Sequence, residues 1–457
     1  MLRAAALTES EGIPSASIIG SGFVRQAELV MRGLGLPLGM GVYPGAPMLD
    51  SEPELQRKVN ESLGPGLLAA LTTRTAIQDE SVREPAPGDV VFDGSFDEIQ
   101  EHFHRNRWTD GLPIVPPTPS RVAAFLSFTA RASDEVLRIV PQESREATIH
   151  SIAVNGVMAG CRPEYMPLLI AIVEALCDPH FRLEDAGSTP GWEPLVIVSG
   201  PIARELDFNY GQGVLRVGRR ANTSVGRFVR LYLRNVCGYR IPPGSGDKAS
   251  IGQSFLVALA EDEACARAIG WPTFAMERGF SHQDNVVTVQ SIVAMTSPLY
   301  SSGAAAEEHV RHWADVMAQS FAYWSHNGFK RGGWYPLIVA GPGIAEVIAG
   351  EWSKDDIRRC LQQNMRVTVD RILHYARMTS TPTFSFEQLV REGVLPPHYA
   401  ESDDPKRLVP MIIDPDTIGI LVAGDPDRNQ SRCYMSNHLQ GAPVSRRVAL
   451  PAGWRAT

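Results

Sequence analysis

The chain has 457 residues, a net charge of -8, and 44% hydrophobic against 21% charged residues. That length suits two or three domains or one large α/β body, and the composition is ordinary for a globular chain. Its 43 Lys and Arg are outnumbered by 51 Asp and Glu and form no basic run, so nucleic acid is not expected as a partner.

The longest apolar run, Met166 to Val173, meets Glu174 at once and falls far short of a membrane span. After Met1-Leu2-Arg3-Ala4-Ala5-Ala6-Leu7, the polar Thr8, Glu9 and Glu11 interrupt any signal-peptide core. The six cysteines, at 161, 177, 237, 265, 360 and 433, form no CxxC pair. This spacing fits reduced thiols in a cytoplasmic protein.

In chain order, residues 1–72 read as a small β-α-β-α piece. Ile13 to Ile19 is a β-branched strand, and Phe23 to Leu34 has helical spacing. Gly39 to Tyr43 is a second strand, and Glu54 to Leu71 a helix bent at Gly64-Pro65-Gly66. That order predicts a parallel pair. Such a small piece is expected to dock on the rest of the chain or on a second subunit. Polar, Pro/Gly-containing residues 73–94 read as a linker.

The main body is expected over 95–457, divisible into halves 95–300 and 301–457. Ser95 is a plausible N-cap for a helix Phe96 to Asn106. That helix leads into Trp108-Thr-Asp-Gly-Leu-Pro-Ile-Val-Pro-Pro-Thr118, where prolines enforce an extended run. Thr109 and Asp110 sit on this stiff support, read either as a packed connector or as an active-site wall. Helices are predicted over Pro119–Arg131, Arg145–Gly160 and a long apolar stretch ending near Leu176. Strand-Gly-Pro units follow at Pro194–Ala203 and Pro336–Ala345, with a weaker one at Ile418–Pro426. They suggest a fold of repeated β-turn-α units around a mostly parallel sheet, an α/β class. Phosphate binding at these turns is only weakly indicated, since no GxxxxGK or well-formed GxGxxG is present, the cofactor is left open, and the absence of GxSxG disfavours a standard serine hydrolase.

Cys161 is the leading reactive candidate. Pro163 suits a helix start, whose dipole would favour a thiolate, with Arg162 beside it. His150 lies on the helix leading to it, and Asn155 on the same helix. Asn222 and Arg227 flank a helix start that could bind a substrate carboxylate or phosphate. Glu277-Arg278 reads as a loop-orienting ion pair or a catalytic pair. His102 or His104, with His282 and Asp284, could hold a divalent metal, although no HxxxH or HExxH spacing supports it. His309 and His312, three apart, read as a solvated helix face.

The run Asn155-Gly-Val-Met-Ala-Gly-Cys-Arg-Pro-Glu-Tyr165, with Thr109-Asp-Gly-Leu-Pro113, resembles a bacterial family labelled UGSC-containing or UGSC-like proteins. Gly200-Pro-Ile-Ala203, Ala221-Asn-Thr223 with Gly226-Arg227, Glu277-Arg-Gly-Phe280 and Trp352-Ser-Lys-Asp355 add to the resemblance, which covers most of residues 96–430. Glu9-Ser-Glu-Gly-Ile-Pro14 is similar to the segment that follows the family's Gly-Ser-Cys motif, in a domain like the selenoprotein subunit of glycine-type reductases. The chain contains no UGSC or CGSC motif, so the redox role that the resemblance implies would move to Cys161, come from another chain, or be lost.

These observations lead to one main expectation: an enzyme acting on a small polar or acyl metabolite. Cys161 would serve as nucleophile or redox thiol, with Asp110 in the same pocket as acid/base. His150, Glu277 and His282 complete the catalytic candidates. Thr109, Asn155, Asn222, Arg227 and Arg278 are the substrate-binding candidates. The alternatives are a metal- or acid/base-dependent hydrolase or lyase, and a non-catalytic subunit that shapes a partner's site. A homo-oligomer or a partner subunit is expected, and no membrane.

Overall fold

The computed structural model describes residues 2–34, 36–72, 86, 88–140, 145–185, 191–241, 251–379, 383–438 and 440–455. Most of the expected linker, 73–85 and 87, lies outside the described residues; residues 88–94 form neither helix nor strand. No described helix is long and apolar enough to cross a membrane. The fold is α/β. It divides into two compact units, and the division falls inside the proline-locked segment, between Leu112 and Pro113.

The first unit comprises Met1–Leu112, Val136–Thr148 and Tyr232–Asp247. Strands β1 (Ala16–Gly20) and β2 (Gly39–Tyr43) pair in parallel across the helix Val24–Leu34, as the β-α-β order requires. Leu2, Ala5, Ala6, Ile19, Ala27 and Leu38 form its small core. The expected bend at Gly64 is a π turn: helix Glu52–Lys58 passes through Val59–Leu63 into helix Gly64–Thr72. Ser95 caps helix Phe96–Arg105 in a full capping box with Glu98, satisfying two otherwise orphaned donors. Strands β3 (Val136–Val140) and β4 (Arg145–Thr148) form an antiparallel pair. This corrects the helix expected over Arg145–Gly160. Its first four residues pair with β3, and the helix begins only at Ile149.

The second unit holds the larger core. Helix Pro119–Leu126 stops short of the expected Arg131, with Ser127 as its C-cap. Helix Met166–Leu176 packs on helix Ile149–Ala159 and on strand β7 (Val286–Ile292), which pairs with β5 (Glu193–Ser199); both strands are buried along their whole length. The apolar run Leu195–Val198 and the run Val286–Val289, broken only by the buried Thr288, reflect burial on both faces. The first sheet runs β15-β7-β5-β6, with β6 at Leu259–Ala260 and β15 at Val444–Arg447. The second runs β13-β10-β14-β8, with β9 also on β14. Here β8 is Ala294–Met295, β9 Leu299–Tyr300, β10 Leu337–Ala340, β13 Gly419–Val422 and β14 Gln430–Met435. A further antiparallel pair joins β11 (Arg366–Thr368) to β12 (Leu408–Pro410).

Leu195, Ile197 and Leu259 of the first sheet meet Leu337, Val339, Leu421 and Tyr434 of the second in one apolar cluster. The pairs β5/β6 and β10/β13 are parallel. The antiparallel partners β7, β14 and β15 are what the sequence reading did not anticipate. After β5 and β10 the chain turns into helices Ile202–Glu205 and Pro342–Ala349. After β13 it returns as strand β14, so the third strand-Gly-Pro run is not followed by a helix.

Candidate functional site

Helix Ile149–Ala159 ends at Gly160, whose φ of +79° only glycine adopts cheaply. Cys161 N donates back to Gly156 O at 3.1 Å, closing a C-cap. The chain then enters a three-residue turn at Pro163, where Arg162 pairs with the buried Glu164. That turn runs directly into helix Met166–Leu176, and Cys161 before it is buried.

The helix Arg220–Asn235 supplies the groups around this cysteine. Residues 220, 224 and 227 lie four and three apart, hence on one helix face. Arg220 donates from Nε and Nη2 to Gly160 O, both at 3.3 Å. Arg227 Nη2 donates to Pro113 O at 2.8 Å. Between them, Ser224 is 6% exposed, and its hydroxyl has no hydrogen-bond partner of normal geometry among the described residues. That hydroxyl lies at the Cys161 sulfur. Burial pushes the thiol up to about 12, opposed first by Ser224 and then by the charges of Arg220 and Arg227. The resting group is therefore a thiol. The thiolate-favouring dipole expected from the sequence is outweighed by desolvation.

Gly226 explains how closely this helix is seated. A Cβ there would stand 2.3 Å from Val257 N, on the backbone leading to β6. Asn222 fastens the same contact. Its Oδ1 accepts from Asn209 N at 2.7 Å, and its Nδ2 donates to Asn209 O and Ala258 O, both at 2.9 Å. Fully buried, it staples two backbone segments to the helix rather than offering a hand to a substrate.

Several of the other expected residues are bonded to nearby backbone, and others stand exposed. His150 is in the first turn of its helix, and nine residues of rise, about 14 Å at about 1.5 Å per residue, separate it from the end that leads to Cys161. It is therefore too far to be that thiol's base; burial lowers its pKa. Asn155 donates to Ser151 O at 2.9 Å within the helix. His282 is exposed. Asp284 accepts from Ser281 N at 2.8 Å and from Arg447 Nη2 at 3.0 Å, and the Ser281 amide is the main cause holding its carboxyl below the usual range. His309, read as solvated, is buried and bonds Ser301 Oγ at 2.7 Å and Gly303 O at 3.2 Å. A loop folding back over the helix covers it, while His312 is exposed.

In the first unit, Thr109 is buried and its Oγ1 accepts from Gly111 N at 2.9 Å. Asp110 Oδ1 accepts from Leu112 N at 3.4 Å, and Gly111 takes φ +90°. Trp108 is held by Asn235 Nδ2 on its carbonyl and by ring contacts with Phe103 and His102. His102 stacks on Phe92 at 4.5 Å, and His104 is exposed. Asp110 belongs to the first unit and Cys161 to the second. Among the described residues no cluster of three or more His, Cys, Asp or Glu could hold a metal ion.

A second cluster lies along β13, where Arg358 donates to Ile418 O and Lys354 to Ile420 O, and beside the end of β6. Glu277 pairs not with Arg278 but with Lys354 at 2.9 Å and Arg358 at 2.6 Å. Lys354, also buried, spends its other donors on Pro272 O and Ile420 O. Arg278 donates to Phe274 O and lies 3.5 Å over the Phe274 ring; burial lowers it to about 10. Beside them is Glu261, which the sequence reading missed. It is 2% exposed; its Oε2 accepts from Phe274 N at 2.8 Å, and its Oε1 has no partner among the described residues. Desolvation raises it to about 7, against the pull of Lys354. The only local signal was a carboxylate closing the apolar run Val257-Ala-Leu-Ala260.

No family model matches the chain, and searches of curated proteins and of solved structures find no match either.

Proposed function

We propose that the chain is an enzyme that cleaves a carbon–heteroatom bond in a small, anionic acyl metabolite through the Cys161 thiol. The observation that carries this reading is the buried sulfur with the Ser224 hydroxyl against it, flanked by Arg220 and Arg227 on one helix face.

In this reading Arg220 and Arg227 draw the substrate's anionic group to the turn. The sulfur attacks the electrophilic carbon, and the carbon–heteroatom bond breaks with its electron pair on the leaving heteroatom. The thiol proton passes through Ser224 to that atom, which leaves an acyl-cysteine for water to hydrolyse. A thiol with so high a pKa is inert until substrate excludes water and accepts the proton, which limits side reactions. Gly160-Cys161-Arg162-Pro163 and Gly226-Arg227 are also among the words that carry the UGSC-like resemblance, in which the redox role would have to move to Cys161.

The test is acylation by a panel of anionic thioesters and activated esters, read by intact mass and peptide mapping. A single acyl adduct on Cys161, absent in Cys161→Ala and slowed at least tenfold in Ser224→Ala, is expected. Turnover of any panel member that survives unchanged in Cys161→Ala would refute the assignment.

A further inference from the structure

Helix Ser325–Lys330 ends in two cations, Lys330 and Arg331, that have no carboxylate partner among the described residues. They line a groove of about 330 Å³ together with Phe384 and Ser385. Its acid, Glu392, accepts from Gln388 Nε2 at 2.8 Å. Behind Phe384 lies His326, 0% exposed, with its ring 6.2 Å from the Phe384 ring. Asn327 Nδ2 and Thr379 Oγ1 approach His326 Nε2 at 3.0 and 2.8 Å, which leaves the proton on Nδ1. That Nδ1 is buried, with the Tyr323 backbone beside it. Trp324 Nε1 donates to His438 Nδ1 at 3.1 Å, which fixes the proton of His438 on Nε2.

We propose that this groove is an oxyanion site, taking the phosphate or carboxylate group of a small metabolite between Lys330 and Arg331, with the buried histidines behind as a second row of donors. It is separate from the cysteine site and does not depend on it. Four basic groups are gathered at or behind a groove whose one carboxylate, Glu392, is not in an ion pair with Lys330 or Arg331. Burial lowers both histidines to about 4, and the charges that lower them further are Lys330 for His326, and Arg331 and Lys330 for His438. The Lys330 ammonium is itself disfavoured by burial and by Arg331. A site left this electropositive gains from an anion what its basic groups lose to one another. The ligand enters with its charge toward the cations, as phosphate and carboxylate do at paired Lys and Arg groups.

The experiment uses the full chain with ¹⁵N-labelled histidine, titrated with inorganic phosphate and, separately, with succinate. Saturable binding of either is expected, with the protonation midpoints of His326 and His438 rising by at least one unit in the bound form. Saturation by phosphate alone marks a phosphate-bearing ligand, by succinate alone a carboxylate, and by both a general oxyanion site. Lys330→Gln and Arg331→Gln alter exposed side chains and should each weaken binding at least fivefold without moving the melting temperature. Absence of saturable binding by both probes, or equal binding by both variants, would overturn the proposal.

Discussion

Replacing Glu261 by Gln should remove a pH dependence from the stability of the second unit. The native carboxyl is buried at the end of β6, with Lys354 as its main favourable charge, and its pKa is raised from 4.5 to about 7. Because the folded value is raised, the contribution is fully present below pH 4.5 and is lost as pH rises through 7. A shift of that size corresponds to about 3 kcal/mol across the interval. Gln keeps an acceptor for Phe274 N and carries no charge at any pH, so the variant should not show this loss. Urea unfolding followed by tryptophan fluorescence at pH 5, 6, 7 and 8 would report the unfolding free energy of each form. The difference between variant and parent should grow by about 2.5 kcal/mol in favour of the variant from pH 5 to pH 8. Titrations common to both, His326 and His438 among them, cancel in that difference. Parallel curves over the whole range would show that the carboxylate is stabilised as well folded as unfolded, and would refute the desolvation argument.

Two further outcomes follow from the same region. Gly226→Ala should destabilise the second unit by about 2 kcal/mol or more, since its Cβ would meet Val257 N at 2.3 Å and backbone cannot yield as a side chain can; thermal melting checks this, and an unchanged melting temperature would mean the helix shifts freely. Cys161 should react with iodoacetamide at pH 7 about a thousandfold more slowly than an unfolded thiol, because burial lifts it from 9.0 to about 12. Peptide-resolved alkylation rates measure this, and a rate equal to that of the denatured chain would contradict the buried-thiol geometry.

What was legible in the sequence was mostly local. The Ser95 capping box, the strand Gly39–Tyr43 and the parallel order of the N-terminal β-α-β piece are written in adjacent residues, and they appear as expected. Pairings between distant segments were not legible. Nothing near Arg145 announces that it pairs with Val140, and nothing near Gln430 announces an antiparallel return beside β10. The same limit governed the site. Cys161 stood out by its proline-flanked turn, but the groups that surround it come from positions 220, 224 and 227, some sixty residues on. Asn222 looked like a substrate hand because its partners, Asn209 and Ala258, are set only by the tertiary fold. Glu261 went unseen because a carboxylate after a short apolar run carries no mark of how dry its surroundings will be.

The three hydrogen bonds of Asn222 have a consequence for motion. Its side chain bonds the Asn209 amide directly, and its own carbonyl accepts from Ala258 N at 2.8 Å. Neither amide can meet solvent until the helix lifts from both segments together. The Asn209 loop, the start of the Arg220–Asn235 helix and the lead into β6 should therefore open as one cooperative unit, with a common exchange rate for those amide protons. Cys161's neighbour Ser224 and the carboxylate Glu261 sit on two limbs of that unit, so their positions would be kept or lost in a single event.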